Sequence, residues 1–354
     1  MMPQSDSTPM PVKQERLYAI EFLRIWFILT ILVGHILVKS PYKLYLFGVP
    51  LSGYAYGVEY FFLVGGFFLY RRISREYDAA ALIGKTWLRL VPGLLFAFLL
   101  CAAIGHVDFS KFPVILSLLG GTALQSTCLG YGDWFIGAYF WASCLYIGLF
   151  KAPRWAAFTT LCVMIYIILC VRGNIPRPPD KPIKMEVYGG IVGFHFCRAI
   201  LWMGVGLVSG FLAERVRLPK QWLPRLLATA FEGYALFRLF HCSVNPPRNH
   251  LSQVELMVLM VFFLISVSQS WGLISRALNA VRHIHLISRY VFPTLMGHIV
   301  TMSFCHKYKF FGLGRGIECL LLTLGIAIVL GVAEYHLVER RLVPWLSRRG
   351  SSPT

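Results

Sequence analysis

The chain reads as an all-α, polytopic transmembrane helix bundle of about ten spans, with both termini on the cytoplasmic side. Three observations lead there. Hydrophobic residues make up 57% of the 354 positions against 14% charged, and the mean hydropathy is +0.63, values foreign to a soluble domain. Apolar runs long enough to cross a bilayer recur along the whole chain. Lys and Arg gather in alternate loops between those runs, the bias that sets span orientation.

Residues 1–16 are polar and Pro-containing, and read as a disordered cytoplasmic segment with no cleavable signal; the first helix itself directs insertion. Spans are expected near 17–38, 46–70, 86–105, 133–150, 155–171, 188–213, 222–240, 254–274, 287–305 and 316–338. Between the third and fourth lies 112–129, where Gly120-Gly121 interrupts an apolar run. It reads either as a re-entrant or half-spanning segment, or as an eleventh helix that inverts all that follows. The transmembrane domain is expected over 17–340, with a short basic cytoplasmic tail over 341–354.

With that topology most loop cations fall inside, and the net charge of +18 follows from topology plus attraction to anionic lipid. Membrane lipid is therefore an expected partner, and nucleic acid is not. Nine cysteines are scattered without a CxxC pair or metal-ligand spacing, so neither a disulfide framework nor a metal site is expected.

Within the first span, RIWFILTILVGH places Arg24 and His35 around ten largely apolar residues. Eleven residues at about 100° each return to the same face within about 20°, about 16 Å along the axis. Polar groups at such depth are costly and usually face a cavity or a site. The column has a fixed cation near one membrane face and a proton-transfer group deep inside.

Further motifs follow in order: VEYFFLVGGFFLYRR (58–72), KTWLRLVPG (85–93), DWFIGAYF (133–140), RYVFPTLMGH (289–298) and YHLVERRL (335–342). Together with Arg24-x10-His35, this set resembles the acyltransferase-3 family of integral-membrane acyltransferases across residues 17–342. Two departures stand out. The family's Ser-Gly-Phe reads Gly65-Gly66-Phe67, and its basic Arg-x-x-Arg pattern has two candidates, Arg72 with Arg75 and Lys85 with Arg89. The hydrolase-like domain fused to some members has no counterpart here.

The resemblance implies transfer of an acyl group, usually acetyl from acetyl-CoA, to a hydroxyl of a surface polysaccharide or lipid-linked saccharide in a bacterial inner membrane. Arg72, Arg75, Lys85 and Arg89 share one predicted cytoplasmic loop and would meet the phosphates of CoA. Its thin pantetheine arm would enter past Arg24 towards His35. There the imidazole would act as general base on the acceptor hydroxyl or carry the acyl group itself. Glu59, His298 and Trp134 are candidate supporting or substrate-binding residues.

Each residue also has a plainer reading. His35 would serve as an interhelical hydrogen-bonding histidine, and Arg24 as a snorkelling cation paired with Glu21 one turn earlier. Glu59 would pack against any cation, Trp134 would belong to an aromatic belt, and His195 with Arg198 would form a pair on one helix face. Glu339 would make surface ion pairs, and His283 and His285 would be solvated loop residues. Two other function classes compete with the enzyme. One is a proton-coupled exporter of a lipid or sugar using His35, Glu59 and Glu232 as a relay, against which stands the lack of an internal repeat. The other is a membrane sensor or assembly partner, which has no need of an aligned Arg–His column.

Overall fold

A computed structural model describes residues 17–39, 45–46, 49–50, 56–74, 78–120, 129, 132–153, 156–161, 164, 187–188, 192–218, 221–244, 253–308 and 316–349. The described residues are mainly helical, with two-residue antiparallel bridges that pair Tyr45–Leu46 with Val49–Pro50 and Val187–Tyr188 with Val192–Gly193. Its longer helices are α1 (Tyr18–Lys39), α2 (Gly57–Ile73), α3 (Ala79–Ala103), then a short α4 (Phe112–Ser117) and α5 (Asp133–Leu149). There follow α6 (Phe194–Arg215), α7 (Trp222–Val244), α8 (Gln253–Gln269), the short α9 (Leu273–Ala280) and α10 (His285–Ser288), α11 (Val291–Lys307) and α12 (Gly316–Glu334). A π-helical stretch (Tyr335–Leu342) carries α12 into α13 (Val343–Arg349). The backbone stays helical through position 340, so the tail expected to start at 341 does not begin at a break.

Among the described residues, four helices are long and apolar enough to cross a membrane: Tyr18–Ile36, Ala79–Ala103, His195–Arg215 and Leu321–Leu346. A fifth is formed if Val254–Gln269 and Leu273–Ala280, bent by 60° at their junction, count as one broken span. These are the helices of a membrane protein. The expected span at 155–171 falls mostly outside the described residues.

The 112–129 segment begins as six residues of helix, about 9 Å, too short to cross a bilayer. Leu118, at φ 55°, ends it in the left-handed region. Trp87 Nε1 of α3 holds the Leu116 carbonyl at 3.1 Å. Leu129 N then donates to Asp133 Oδ2 at 3.1 Å, tying the segment's far end to the start of α5. Residues 112–120 are thus a short helix and a turn packed on α3 and α5; 121–128 lie outside the described residues.

Two glycine seams set the bundle's spacing. A Cβ on Gly66 of α2 would strike the Met203 carbonyl of α6, and one on Gly206 of α6 would strike the Leu63 carbonyl of α2. Similarly, Gly297 of α11 abuts the Ala327 carbonyl of α12, and Gly331 abuts the backbone of Thr294. In lipid the hydrophobic effect does little between helices, so close backbone approach through small residues carries the packing. The Gly65-Gly66-Phe67 departure accordingly has a packing role: Gly66 makes the α2–α6 seam, while Gly65 leaves room for the Tyr139 ring of α5.

Candidate active site

Arg24 and His35 both lie on the unbroken α1. On that helix Ile28, Leu32 and His35 follow a four-then-three spacing, and on α11 Val291, Leu295 and His298 repeat it. The aliphatic members meet in one small apolar cluster with Ala327. Both ladders end in imidazoles: His35 Nδ1 lies 3.0 Å from His298 Nε2, and the rings stack with centroids 4.9 Å apart and planes 15° apart. His298 is buried and His35 half-buried. One of the two facing nitrogens must carry the hydrogen, because two lone pairs or two N–H groups would repel.

At the other end of α1, two cavities meet at Arg24, Arg89 and Phe292. One, of about 470 Å³, is walled by Arg24, Lys85, Arg89 and Arg289, with Glu21 and Glu339 as its acidic members. The other, of about 300 Å³, adds Arg72 at its rim but is otherwise largely aromatic and aliphatic, with Phe61, Phe68, Phe135 and Leu295 in its wall. A polyanion suits the first, and a thin, mostly apolar arm suits the second. The apolar cavity stops short of the histidine pair. Ile28 lines it, but His35 is seven residues further, about 10 Å along the helix. Fully buried Leu32, packed with Phe61 and Leu295, belongs to the apolar layer between them.

Arg24 has no ion pair or hydrogen bond among the described residues, so its guanidinium is available to the cavities it lines. The expected Glu21–Arg24 pair does not form: Glu21 Oε2 instead accepts from the Ser288 hydroxyl of α10 at 2.5 Å. Arg72 faces the apolar cavity, Lys85 the cationic one and Arg89 both. Arg75 lies outside the described residues. Among the supporting candidates, His298 is brought to His35, whereas Glu59 and Trp134 are not. Glu59 is ion-paired with Arg198 on the α2–α6 seam, and Trp134 stacks on His195 at 3.8 Å and 24°. Arg198 and His195, one turn apart on α6, thus each also hold a partner from another helix.

The relay residues are likewise dispersed. Glu232 of α7 accepts from the Ser266 hydroxyl and, at 3.0 Å each, from the amides of Gly272 and Ser275, while Glu59 holds Arg198 and His35 faces His298. Among the described residues no group of three His, Cys, Asp or Glu is placed to hold a metal ion.

Sequence reasoning missed three members of the cation-lined cavity. Arg289 stands at the head of the motif that carries His298, a signal that was present but unused. His285 is not a plain loop residue: it lines the cavity and its ring lies 6.2 Å from Tyr18. Glu339 faces the same cavity rather than the surface, because the π-helical stretch turns it inward. A π segment inside a helix is often a functional device. Comparison of the chain with family models, curated proteins and solved structures returns no match.

Proposed function

We propose that this protein is a membrane-embedded O-acyltransferase that moves acetyl from acetyl-CoA to a hydroxyl of a cell-surface or lipid-linked carbohydrate. The observation that carries this reading is the His35–His298 pair on the same α1 face whose other end, Arg24, lines two joined cavities. The six ordered sequence motifs give the reaction class. A ten-span topology in a bacterial inner membrane, with both termini cytoplasmic, belongs to the same proposal and rests on the apolar runs and the loop-charge bias.

Acetyl-CoA would supply the acyl thioester. Lys85, Arg89, Arg24 and Arg289 would hold its phosphates in the cationic cavity, with Arg72 at the mouth of the apolar one. At the far end, His298 Nε2 would accept the hydrogen of His35 Nδ1, and His35 Nε2 would then act as the base towards the acceptor hydroxyl. His35 then removes that proton as the acyl–oxygen bond forms and returns it to the leaving thiolate. The layer of Leu32, Phe61 and Leu295 keeps the thioester from water until the donor arm displaces it.

The test is acetyl transfer from radiolabelled acetyl-CoA in membranes carrying the wild-type chain or His35→Ala. Label should appear in a glycan fraction with wild type and be absent with the variant. Unchanged labelling with His35→Ala, or no consumption of acetyl-CoA by purified wild type, would refute the proposal.

A further inference from the structure

The segment joining α8 to α11 is long, cationic and free of acidic residues. Residues 271–291 contain Arg276, Arg282 and Arg289, with His283 and His285, and no Asp or Glu. The segment does not continue α8. It turns by 60° after Gln269 and runs as α9, a 3-10 turn and α10.

That turn is built into the fold. Glu232 grips the amides of Gly272 and Ser275, 3.0 Å each, at the start of α9. Asn279 Nδ2 donates to the Val267 carbonyl at 3.0 Å and to Ser270 Oγ at 3.1 Å, while its Oδ1 accepts from Ala19 N of α1 at 3.0 Å. Arg276 Nε donates to the Ser270 carbonyl at 3.0 Å, and Ser270 itself sits at φ 53°. The segment is thus fixed across the end of the bundle by bonds to α1, α7 and α8.

Its outer face is both greasy and cationic. Leu273, Val281 and Ile287 are 63%, 51% and 58% exposed, and Arg276, Arg282 and Arg289 are exposed among them. A rigid short-helix strip with apolar side chains interleaved with cations, set at an angle to a long apolar helix, is suited to lying in the interface of a bilayer. Its apolar residues would reach the acyl boundary and its guanidiniums the headgroup phosphates.

We propose that residues 271–291 form a docking strip for anionic phospholipid, in which Arg276 and Arg282 bind headgroup phosphate while Leu273, Val281 and Ile287 insert beside the acyl chains. The strip does not depend on the acyl-transfer reading. Arg289 is left out of the test because it also walls the cation-lined cavity.

The experiment uses the full chain, purified in detergent, stripped of lipid and titrated with phosphatidylglycerol, phosphatidylcholine or inorganic phosphate, with native mass spectrometry counting bound lipid. Phosphatidylglycerol should be retained, and phosphatidylcholine should not. Replacing Arg276 and Arg282 by Gln should weaken retention about fivefold per arginine lost. Replacing Arg215 and Arg217, exposed cations at the end of α6, by Gln should leave retention within twofold. Equal loss in both double variants would show only a general basic surface, and displacement of lipid by inorganic phosphate would show a plain anion site. Either result, or unchanged retention after loss of Arg276 and Arg282, overturns the proposal. A melting temperature matched to wild type confirms that each variant is folded.

Discussion

His35 of α1 and His298 of α11 meet nitrogen to nitrogen at 3.0 Å, each at the end of an aliphatic ladder of identical spacing. The ladders fix the two rings, so the imidazole contact is a consequence of helix register and not of side-chain search. One hydrogen bridges the two nitrogens, and the tautomer of one ring dictates that of the other.

His298→Ala should therefore lower kcat for acetyl transfer by about 100-fold or more while the donor KM stays unchanged. Partial recovery is expected for His298→Gln, whose amide restores a partner for His35 Nδ1. A defect in KM alone would exclude the orienting role.

The same contact gives a pH dependence with a defined sign. When both imidazoles bind an extra proton, two N–H groups face each other and His35 has no lone pair for the hydroxyl. Activity should fall towards acid, and a kcat that rises as the pH is lowered would contradict general-base catalysis by this pair.

Arg89 lines both cavities, so Arg89→Gln should raise the donor KM about tenfold with little change in kcat. Raising ionic strength should mimic part of the effect in wild type and less in the variant. Saturation kinetics with acetyl-CoA at two salt concentrations measure both.

On the α2–α6 seam, Gly66→Ala should destabilise the fold by about 1–3 kcal/mol, since the new Cβ meets backbone that must shift. Gly84→Ala, at a helical site with nothing within 4 Å of the added carbon, should be neutral or stabilising by up to about 1 kcal/mol. Thermal unfolding of detergent-solubilised protein compares them.

Glu59 and Arg198 form a largely desolvated pair on the same seam. Either Glu59→Gln or Arg198→Gln alone should cost about 3 kcal/mol, because each leaves a buried partner uncompensated; replacing both by Leu should recover most of the loss. A double-variant melting temperature no higher than the singles would show that the pair is held by something other than mutual compensation.

Much of this was legible in the chain. The long apolar helices, the Arg24–His35 register and the gathering of Arg72, Lys85 and Arg89 follow from hydropathy, helical period and charge placement, which are local properties. The fates of the carboxylates were not. Glu21, Glu59, Glu232 and Glu339 each had several cations or donors within plausible reach, and only the packing of helices distant in sequence selects among them. Ser288 took Glu21, Arg198 took Glu59 and the amides of α9 took Glu232.

By itself, the sequence determined that long apolar helices carry this protein and that Arg24 and His35 share one face, because hydropathy and the 3.6-residue period need no partner to act. The tertiary structure alone decided that His35 faces His298, that Arg289, His285 and Glu339 join the cations around Arg24, and that an apolar layer stands between the two ends. Those outcomes depend on how far one helix slides against another. That register is set by close contacts such as Gly297 on Ala327 and Gly331 on Thr294, which no single helix contains.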